Sequence, residues 1–197
     1  MERGDRIIVG ITGNIGSGKT LVSKYFEEYG AHYICADEIG QEVLIAIKDE
    51  LKAAFGESIM TNGVIDRRKL RNTVFSSEKH LLLLNKLSHP LLIKEIIKRI
   101  GDIETGIIVI DAALLFDWPE IVDRLDCSIL VSAPDIKKEE RTVNSDLDHR
   151  LFRSILQFQP SEQAMSRLAT YVISNDGTIP ELKQKTQKIF EEIKNDC

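Results

Sequence analysis

A glycine-rich stretch near the start of the chain constrains its fold more than any other feature. Residues 10–20 read G-I-T-G-N-I-G-S-G-K-T, and Gly13, Gly18, Lys19 and Thr20 within them match the pattern G-x-x-x-x-G-K-[ST]. An apolar I-I-V run precedes this stretch, and the helix-like segment L-V-S-K-Y-F-E-E-Y follows it. The sequence therefore predicts a strand, a glycine loop and a helix, in that order.

Each residue type in this loop suits the binding of phosphate. Gly13, Gly16 and Gly18 have no Cβ, so the backbone can curve until its N–H groups point at phosphate oxygens. The helix that follows adds the positive end of its dipole. Lys19 can reach the outer phosphates, and the Thr20 hydroxyl is placed to bind a Mg²⁺ ion between them. We therefore predict a phosphate-binding loop.

A dinucleotide-binding fold is the nearest alternative, because Asp37 follows Gly18 at about the spacing of a ribose-binding acid. The order of the glycines excludes it. The chain has G-x-x-G-x-G followed by Lys-Thr, whereas the dinucleotide fingerprint is G-x-G-x-x-G without a lysine.

The composition argues against two large classes of partner. The 26 basic and 31 acidic residues leave a net charge of −5, which disfavours nucleic acid or an anionic membrane surface as the main partner. No apolar run reaches the roughly 18 residues of a membrane span. Residues 1–5 form a short polar start without the apolar segment of a signal peptide. We expect a cytoplasmic protein.

Apolar runs further along the chain predict the rest of a parallel sheet. Residues 31–35, 107–110, 127–131 and 171–173 are typical of buried strands, with helical segments between them. We predict an α/β fold of three layers, in which a five-stranded parallel sheet lies between helices. The predicted divisions are a core of residues 1–38, 106–134 and 168–197, an inserted helical lobe of residues 39–105, and a helical lid of residues 135–167.

The predicted lobe and lid each carry one further expectation. In the lobe, His89-Pro90 interrupts an apolar stripe, so we expect the proline to begin a new helix or to kink an existing one. The lid segment is rich in arginine and lysine, including Arg141 and Arg150. It is either a mobile cover that closes over phosphates or a solvated pair of helices.

Two acids follow predicted strands at the edge where ligands bind in open α/β sheets. Asp37 comes directly after the second strand and should lie beside the glycine loop. Asp111 ends the buried I-I-V-I run, where it can hold Mg²⁺ together with Thr20 or orient a substrate. An ordinary acid at the end of a strand is the alternative for Asp111.

Three classes of nucleotide-binding protein share such a loop, and the sequence favours one of them. A GTPase switch would use D-E-I-G at residues 37–40, which comes too soon after the loop, and the chain lacks the guanine motif N-K-x-D. A motor needs a nucleic-acid or partner surface, for which the acidic balance gives no support. A small-molecule kinase needs an acceptor lobe, a basic lid and a carboxylate near the phosphates, and all three are predicted.

Several sequence blocks resemble the dephospho-CoA kinases, which are P-loop enzymes. These blocks cover nearly the whole chain in the family's order, and the loop is the least specific of them. They are G-I-T-G-N-I-G-S-G-K-T at 10–20, A-D-E-I at 36–39, N-G-V-I-D-R-R-K-L at 62–70, L-N-K-L-S-H-P-L-L at 84–92, I-D-A-A-L-L-F-D at 110–117 and V-I-S-N-D-G at 172–177.

The resemblance implies a P-loop NTPase fold and the transfer of the ATP γ-phosphoryl group to the ribose 3′-hydroxyl of dephospho-CoA, with Mg²⁺. ATP and dephospho-CoA are then the small-molecule partners of a monomer or weak homo-oligomer. A kinase acting on another small hydroxyl compound is the alternative, and a non-enzymatic NTPase switch is a weaker one.

The resemblance also assigns roles by position. Asp37 is the general base, Asp111 and Thr20 bind metal, and Arg141 and Arg150 join Lys19 in neutralising developing charge. The nucleotide is expected to contact Gly13, Asn14, Ile15, Gly16, Ser17, Gly18, Lys19, Thr20, Asn175 and Gly177, and the acceptor is expected to contact Asp37, Arg67, Arg68, His89, Asp111 and Leu114.

The chain departs from the family pattern at four positions. Asn14 stands where a glycine is usual, and asparagine tolerates a left-handed backbone better than most residues. Cys35 replaces the first acid of an Asp-Ala-Asp element, which leaves Asp37 as the only carboxylate of that element. Ala113 replaces a proline, and Asp117 replaces a glutamate.

The assignment of Asp37 predicts the effect of one substitution. Asp37→Asn should keep ATP binding but lower kcat by orders of magnitude, because the base and its alignment of the hydroxyl are both lost. Steady-state kinetics and ATP titration check the two halves of this expectation. Near-normal turnover by the variant would remove Asp37 from the role of base.

Overall fold

The computed structural model describes residues 6–143 and 148–196. Residues 1–5 and 197 of the predicted core and residues 144–147 of the predicted lid lie outside these ranges. Within them the strands are β1 (Arg6–Thr12), β2 (His32–Cys35), β3 (Met60–Thr61), β4 (Val64–Ile65), β5 (Gly106–Asp111), β6 (Cys127–Ser132) and β7 (Tyr171–Ser174).

The helices account for most of the remaining chain. They are α1 (Lys19–Glu28), α2 (Ala36–Ala46), α3 (Lys48–Phe55), α4 (Arg67–Val74), α5 (Glu78–Gly101), α6 (Pro119–Val122), α7 (Asp135–Val143), α8 (His149–Phe158), α9 (Glu162–Ser166) and α10 (Ile179–Asp196). Two single turns of 3-10 helix cover Glu57–Ile59 and Leu115–Asp117.

The central sheet has five parallel strands in the order β2-β5-β1-β6-β7. Its middle strands are continuous apolar runs because both of their faces are covered, as in other parallel sheets. Cys35 and Ile11 are both paired with Asp111, so β2, β1 and β5 end at the same edge. The predicted five-stranded parallel sheet is confirmed.

Helices cover the sheet on both faces and give it two hydrophobic cores. On one face, Phe26 of α1 packs with Phe190 and Ile193 of α10, and the two phenyl rings meet edge to face at 5.3 Å. On the other face, Ile39 of α2 and Ile96 of α5 belong to a core that extends to α3 and α4. The structure therefore has the three predicted layers.

Most of the inserted segment between β2 and β5 is helical, as predicted, but it also holds a small hairpin. Strands β3 and β4 pair antiparallel, with Asn62 (φ 50°) and Gly63 (φ 76°) between them. Both turn residues have positive φ, which is the requirement of the tightest hairpin turns. The sequence predicts the Asn-Gly turn, whereas strands of two residues are too short to give a pattern.

Helix α5 runs through Pro90 without ending, so no new helix begins there. Proline removes one helical hydrogen bond, to the carbonyl of Lys86. Lys86 lies on the exposed side of the helix, where water can bond that carbonyl. Beyond the proline, Leu92, Ile96 and Ile100 are buried and hold the second half of the helix against the core.

Helix α10 begins with the capping box that the sequence pattern S/T-x-x-E predicts. The Thr178 N–H donates to Glu181 Oε2 at 2.6 Å, and the Glu181 N–H donates back to Thr178 Oγ1 at 3.4 Å. Among the described helices, none combines the length and the apolar character that crossing a bilayer requires.

The packing of α5 predicts a stability difference within one helix. Ile96 is 0% exposed, so Ile96→Ala should lower the free energy of unfolding by about 2–5 kcal/mol through lost burial and a residual cavity. Leu91 is 43% exposed, and Leu91→Ala is the matched control with an expected loss below about 1 kcal/mol. Denaturant unfolding measures both, and equal losses would contradict the packing described.

Candidate active site

The glycine loop connects β1 to α1, and two of its glycines lie where no side chain fits. Gly16 has φ 75° and Gly18 has φ 95°, both in the left-handed region. A Cβ on Gly16 would collide with the backbone of Lys138, and a Cβ on Gly18 would collide with the side chain of Asn175. Glycine is therefore needed at these two positions because α7 and the segment after β7 approach the loop closely.

Arg141 and Asn175 hold the loop in place from those two elements. Asn175 Nδ2 donates to the Ser17 carbonyl at 2.7 Å. Arg141 Nη1 donates to the carbonyls of Gly16 at 3.2 Å and Ser17 at 3.4 Å, and its Nη2 donates to the Asn175 carbonyl at 3.0 Å. The peptide groups on both sides of Ser17 are thus fixed within the protein itself.

Gln159, between α8 and α9, bonds the other half of the loop. The Ile15 N–H donates to Gln159 Oε1 at 2.9 Å, and Asn14 Nδ2 donates to the Pro160 carbonyl at 3.0 Å. Asn14, where a glycine is usual in the family, is 4% exposed and uses its amide to tie the loop to this segment. Sequence reasoning missed Gln159, since no motif links residues so far apart in the chain.

Lys19 lies between the two predicted acids. Its Nζ is 3.2 Å from Asp111 Oδ1 and 3.9 Å from Asp37 Oδ2. Burial by itself lowers the pKa of Lys19, but the charges of Asp111 and Asp37 outweigh it and leave that pKa above its ordinary value. Lys19 therefore remains an ammonium ion, and the structure places Asp37 beside the glycine loop as predicted.

Asp111 is 1% exposed, and only one of its two oxygens accepts a hydrogen bond. The Tyr33 hydroxyl donates to Oδ2 at 3.1 Å. Burial, the Cys35 thiol and the Asp111 charge raise the pKa of Tyr33, so this hydroxyl keeps its proton. Oδ1 has no hydrogen-bond partner among the described residues and is left with the Lys19 ion pair.

Oδ1 of Asp111, which pairs with Lys19 but accepts no hydrogen bond from the described residues, fits a Mg²⁺ ion. Mg²⁺ prefers oxygen ligands, and the exposed hydroxyl of Thr20 is the second protein oxygen predicted for it. The described residues contain no group of three or more His, Cys, Asp or Glu side chains that could hold a metal by themselves. A Mg²⁺ ion here would take its remaining oxygens from phosphate groups and water.

A cleft of about 550 Å³ opens next to the loop and Asp37. The loop contributes Ile15 and Lys19 to its lining, and α4, α5 and α8 form much of the rest. Its volume lies within the range of small-molecule sites. Four of the residues predicted to contact an acceptor line it, namely Asp37, Arg67, His89 and Leu114.

The other predictions for the acceptor are placed differently. Arg68 points outside the cleft lining, whereas Arg71, which sequence reasoning missed, lies within it. The spacing of four residues from Arg67 to Arg71 on one helix face was the available signal. Asp111 sits behind Lys19 and does not line the cleft.

His89 lies in α5 at the wall of the cleft and is held by Trp118. Trp118 Nε1 donates to His89 Nδ1 at 3.2 Å, and the two rings meet edge to face at 5.4 Å. Burial lowers the pKa of His89, although the Asp117 carboxylate opposes the shift. The imidazole is therefore neutral near pH 7, and because Nδ1 accepts, Nε2 carries the proton as a donor.

Of the predicted lid, α7 contacts the loop through Arg141, while α8 covers the cleft. Ser154 Oγ donates to the Phe75 carbonyl at 2.6 Å, and the rings of Phe75 and Phe158 lie 6.3 Å apart. Arg150 of α8 is exposed and outside the cleft lining. The structure thus brings Arg141 to the loop but not Arg150.

Gly177 follows β7 in the same loop as Asn175. A Cβ on Gly177 would collide with the carboxylate of Glu181, so the glycine makes room for the capping box of α10. Its contact to a nucleotide stays a prediction.

The sequence and the structure of this chain were compared with those of known proteins. The family model of dephospho-CoA kinase matches residues 7–181. The dephospho-CoA kinase of Coxiella burnetii is 34% identical over 181 residues, which cover 89% of this chain and 91% of that protein. The chain belongs to the dephospho-CoA kinase family. The family resemblance stated from the sequence blocks is confirmed.

Solved structures agree with this membership. The TT1252 protein of Thermus thermophilus superposes with a TM-score of 0.79 at 28% identity, over 95% of this chain and 98% of that one. The dephospho-CoA kinase of Campylobacter jejuni has a TM-score of 0.63 at 21% identity, over 95% and 97% of the two chains, and shows the shared fold. The predicted P-loop fold is confirmed for this family member.

The bonds of Asn175 predict how its loss affects nucleotide binding. Asn175→Ala removes the donor to the Ser17 carbonyl, so MgATP and MgGTP should both bind about tenfold more weakly, by the same factor. Calorimetric titration of each nucleotide measures this. Asp176→Asn is the matched control, because the Asp176 carboxylate pairs with Lys185 at the surface. A loss confined to ATP would show instead that Asn175 recognises adenine.

Proposed function

We propose that this protein transfers the γ-phosphoryl group of ATP to the 3′-hydroxyl of the ribose of dephospho-CoA, giving CoA and ADP in the last step of CoA biosynthesis. The observation that carries the proposal is the continuity of one cleft with the phosphate-binding loop. Ile15 and Lys19 of the loop and Asp37 all line that cleft. A donor held by the loop and an acceptor in the cleft would therefore meet at Asp37.

Asp37 is the best-placed general base. Asp37 and Asp117 are the carboxylates in the cleft lining, and of these only Asp37 lies within 4 Å of Lys19. Asp111 is buried and already pairs with Lys19 and Tyr33. Asp37 is exposed to the cleft, so its carboxylate can accept a hydrogen bond from the hydroxyl and take its proton as the phosphoryl group is transferred.

Phosphoryl transfer depends mostly on positioning and on neutralising charge, and Lys19 serves both. Its raised pKa keeps it cationic, and its position between Asp37 and Asp111 directs the ammonium group to the point where the loop meets the cleft. We assign the stabilisation of charge on the transferred group to Lys19. Arg141 positions the loop through the carbonyls of Gly16 and Ser17.

Thr20 and Asp111 are the residues that would hold Mg²⁺. When bound, the ion would neutralise negative charge on the phosphate oxygens. The proposed roles of Asn175 in the nucleotide site and of Arg67, His89 and Leu114 in the acceptor site follow from where these residues lie. Arg150 and Arg68 lie outside the cleft, and their proposed roles have no such support.

The remaining features of the proposal concern the cell and the assembly. The enzyme acts in the cytoplasm, where its donor ATP is available, and its partners are ATP and dephospho-CoA. The acidic net charge of −5 supports neither nucleic acid nor an anionic membrane as a partner. A monomer or weak homo-oligomer is the assembly proposed, since the cleft and loop are both formed within one chain.

A coupled assay for ADP with several acceptors tests the function. With MgATP, dephospho-CoA should be phosphorylated with a far higher kcat/KM than adenosine, shikimate or gluconate, and mass spectrometry should identify CoA as the product. Lys19→Ala is the inactive control, because it removes the cation between the two carboxylates. Faster turnover of another acceptor would assign the cleft to a different hydroxyl compound, and no acceptor-dependent ADP would contradict a kinase.

A further inference from the structure

Helix α4 presents two arginines to the cleft from the same face. Arg67 and Arg71 are four residues apart, so their side chains are neighbours on the helix surface, and both line the cleft. Neither side chain forms a hydrogen bond or an ion pair with any residue in the described ranges. Arg71 Nε is in addition buried without a hydrogen-bond partner.

A buried guanidinium N–H without a partner is unusual, because removing a charged donor from water is unfavourable unless something replaces the water. Two other cations of this lobe, Lys69 and Arg99, have partners within the protein. Lys69, on the same helix, donates to the Met60 carbonyl and to Thr61 Oγ1, and Arg99 pairs with Glu42 and Glu95. The unpaired nitrogen of Arg71 in the cleft therefore points to a ligand that completes it.

The helix holds this arginine in a defined position. Asp66 caps the start of α4 by accepting from the N–H groups of Arg68 and Lys69 at 3.0 and 3.1 Å. Leu70 and Val74 are buried and fix the rotation of the helix against the core. Arg71 therefore faces the cleft because of the packing around it, and this pre-organisation lowers the entropic cost of binding an anionic group there.

Two guanidinium groups on neighbouring positions match the geometry of phosphate groups, which arginine binds through paired N–H donors. The phosphates of the donor nucleotide are assigned to the glycine loop, whereas Arg67 and Arg71 belong to α4, another part of the cleft lining. An acceptor whose ribose lies at Asp37 can bring its own phosphates to the wall formed by α4. Dephospho-CoA carries such a group, since a pyrophosphate joins its adenosine to the pantetheine arm.

We propose that Arg71, with Arg67 beside it, binds the pyrophosphate of dephospho-CoA and so selects acceptors that carry this group. The assignment rests on the proposed function, because it takes dephospho-CoA as the acceptor. Arg71 is a binding residue and stays away from the transferred phosphoryl group. Its loss should weaken acceptor binding and leave the chemical step intact.

Steady-state kinetics of Arg71→Met test the proposal, because methionine keeps an apolar stem and removes the charge. We expect the KM for dephospho-CoA to rise about 10- to 100-fold, the range for a lost charge-assisted hydrogen bond, with kcat and the KM for ATP within about twofold. Lys79→Met is the control: it removes an exposed charge of the same lobe, outside the cleft, and should behave as the wild type. Arg71→Lys should recover part of the loss.

Two further measurements separate a role in binding from a role in folding. Raising the KCl concentration should increase the KM for dephospho-CoA in the wild type more than in Arg71→Met, because salt screens the interaction that the variant has lost. Arg67 is exposed, so Arg67→Met should fold and should raise the KM for dephospho-CoA by a smaller factor. This variant keeps the proposal testable if Arg71→Met does not fold.

The results that would overturn the role of Arg71 differ from the result that would overturn the proposed kinase activity. An unchanged KM for dephospho-CoA in Arg71→Met, an equal rise in the KM for ATP, or the same change in Lys79→Met would each overturn the assignment of Arg71 while the kinase activity stands. A wild type that does not phosphorylate dephospho-CoA would overturn the proposed function, and the pyrophosphate assignment would fall with it.

Discussion

The charge of Lys19 is the interaction on which the site depends. The side chain is only 12% exposed, and an ammonium group in such a place loses much of its hydration. Asp111 and Asp37 offset that loss from two strand ends, because the parallel register brings the ends of β2 and β5 to the same edge as the glycine loop. The charge balance therefore depends on the strand order, because another order would separate Lys19 from Asp37 and Asp111.

The inserted helices give this general nucleotide site its second half. They leave the sheet directly after β2, so Asp37 in the first turn of α2 lies beside the loop and also lines the cleft. Helices α4, α5 and α8 form walls of the cleft, and the chemical character of the lining differs from one end of the cleft to the other. Arginines line one part, and the neutral His89 held by Trp118 lines another. An extended acceptor with both charged and uncharged segments suits such a surface.

The features that could be predicted from the sequence are those written in local patterns. The loop, the buried strands, the capping box of α10 and the positions of Asp37 and Asp111 each follow from a few neighbouring residues. Contacts between distant segments could not be predicted, and they include the Gln159 bond to Ile15 and the bonds of Arg141 to the loop carbonyls. Of the two alternatives expected at Pro90, a new helix is excluded, because burial beyond the proline outweighs one lost hydrogen bond and α5 continues.

Asn14 shows how a residue that departs from a family pattern is bonded by a segment distant in the sequence. Its amide reaches the Pro160 carbonyl, and the adjacent Ile15 N–H reaches Gln159, so the first half of the loop and the bend after α8 form one hydrogen-bonded unit. If this loop were moved into a relative without that bend, the buried Asn14 amide would have no hydrogen-bond partner. A glycine at position 14 would likewise leave the Pro160 carbonyl without its donor. The loop and the bend therefore depend on each other, and an engineer should exchange them as a pair.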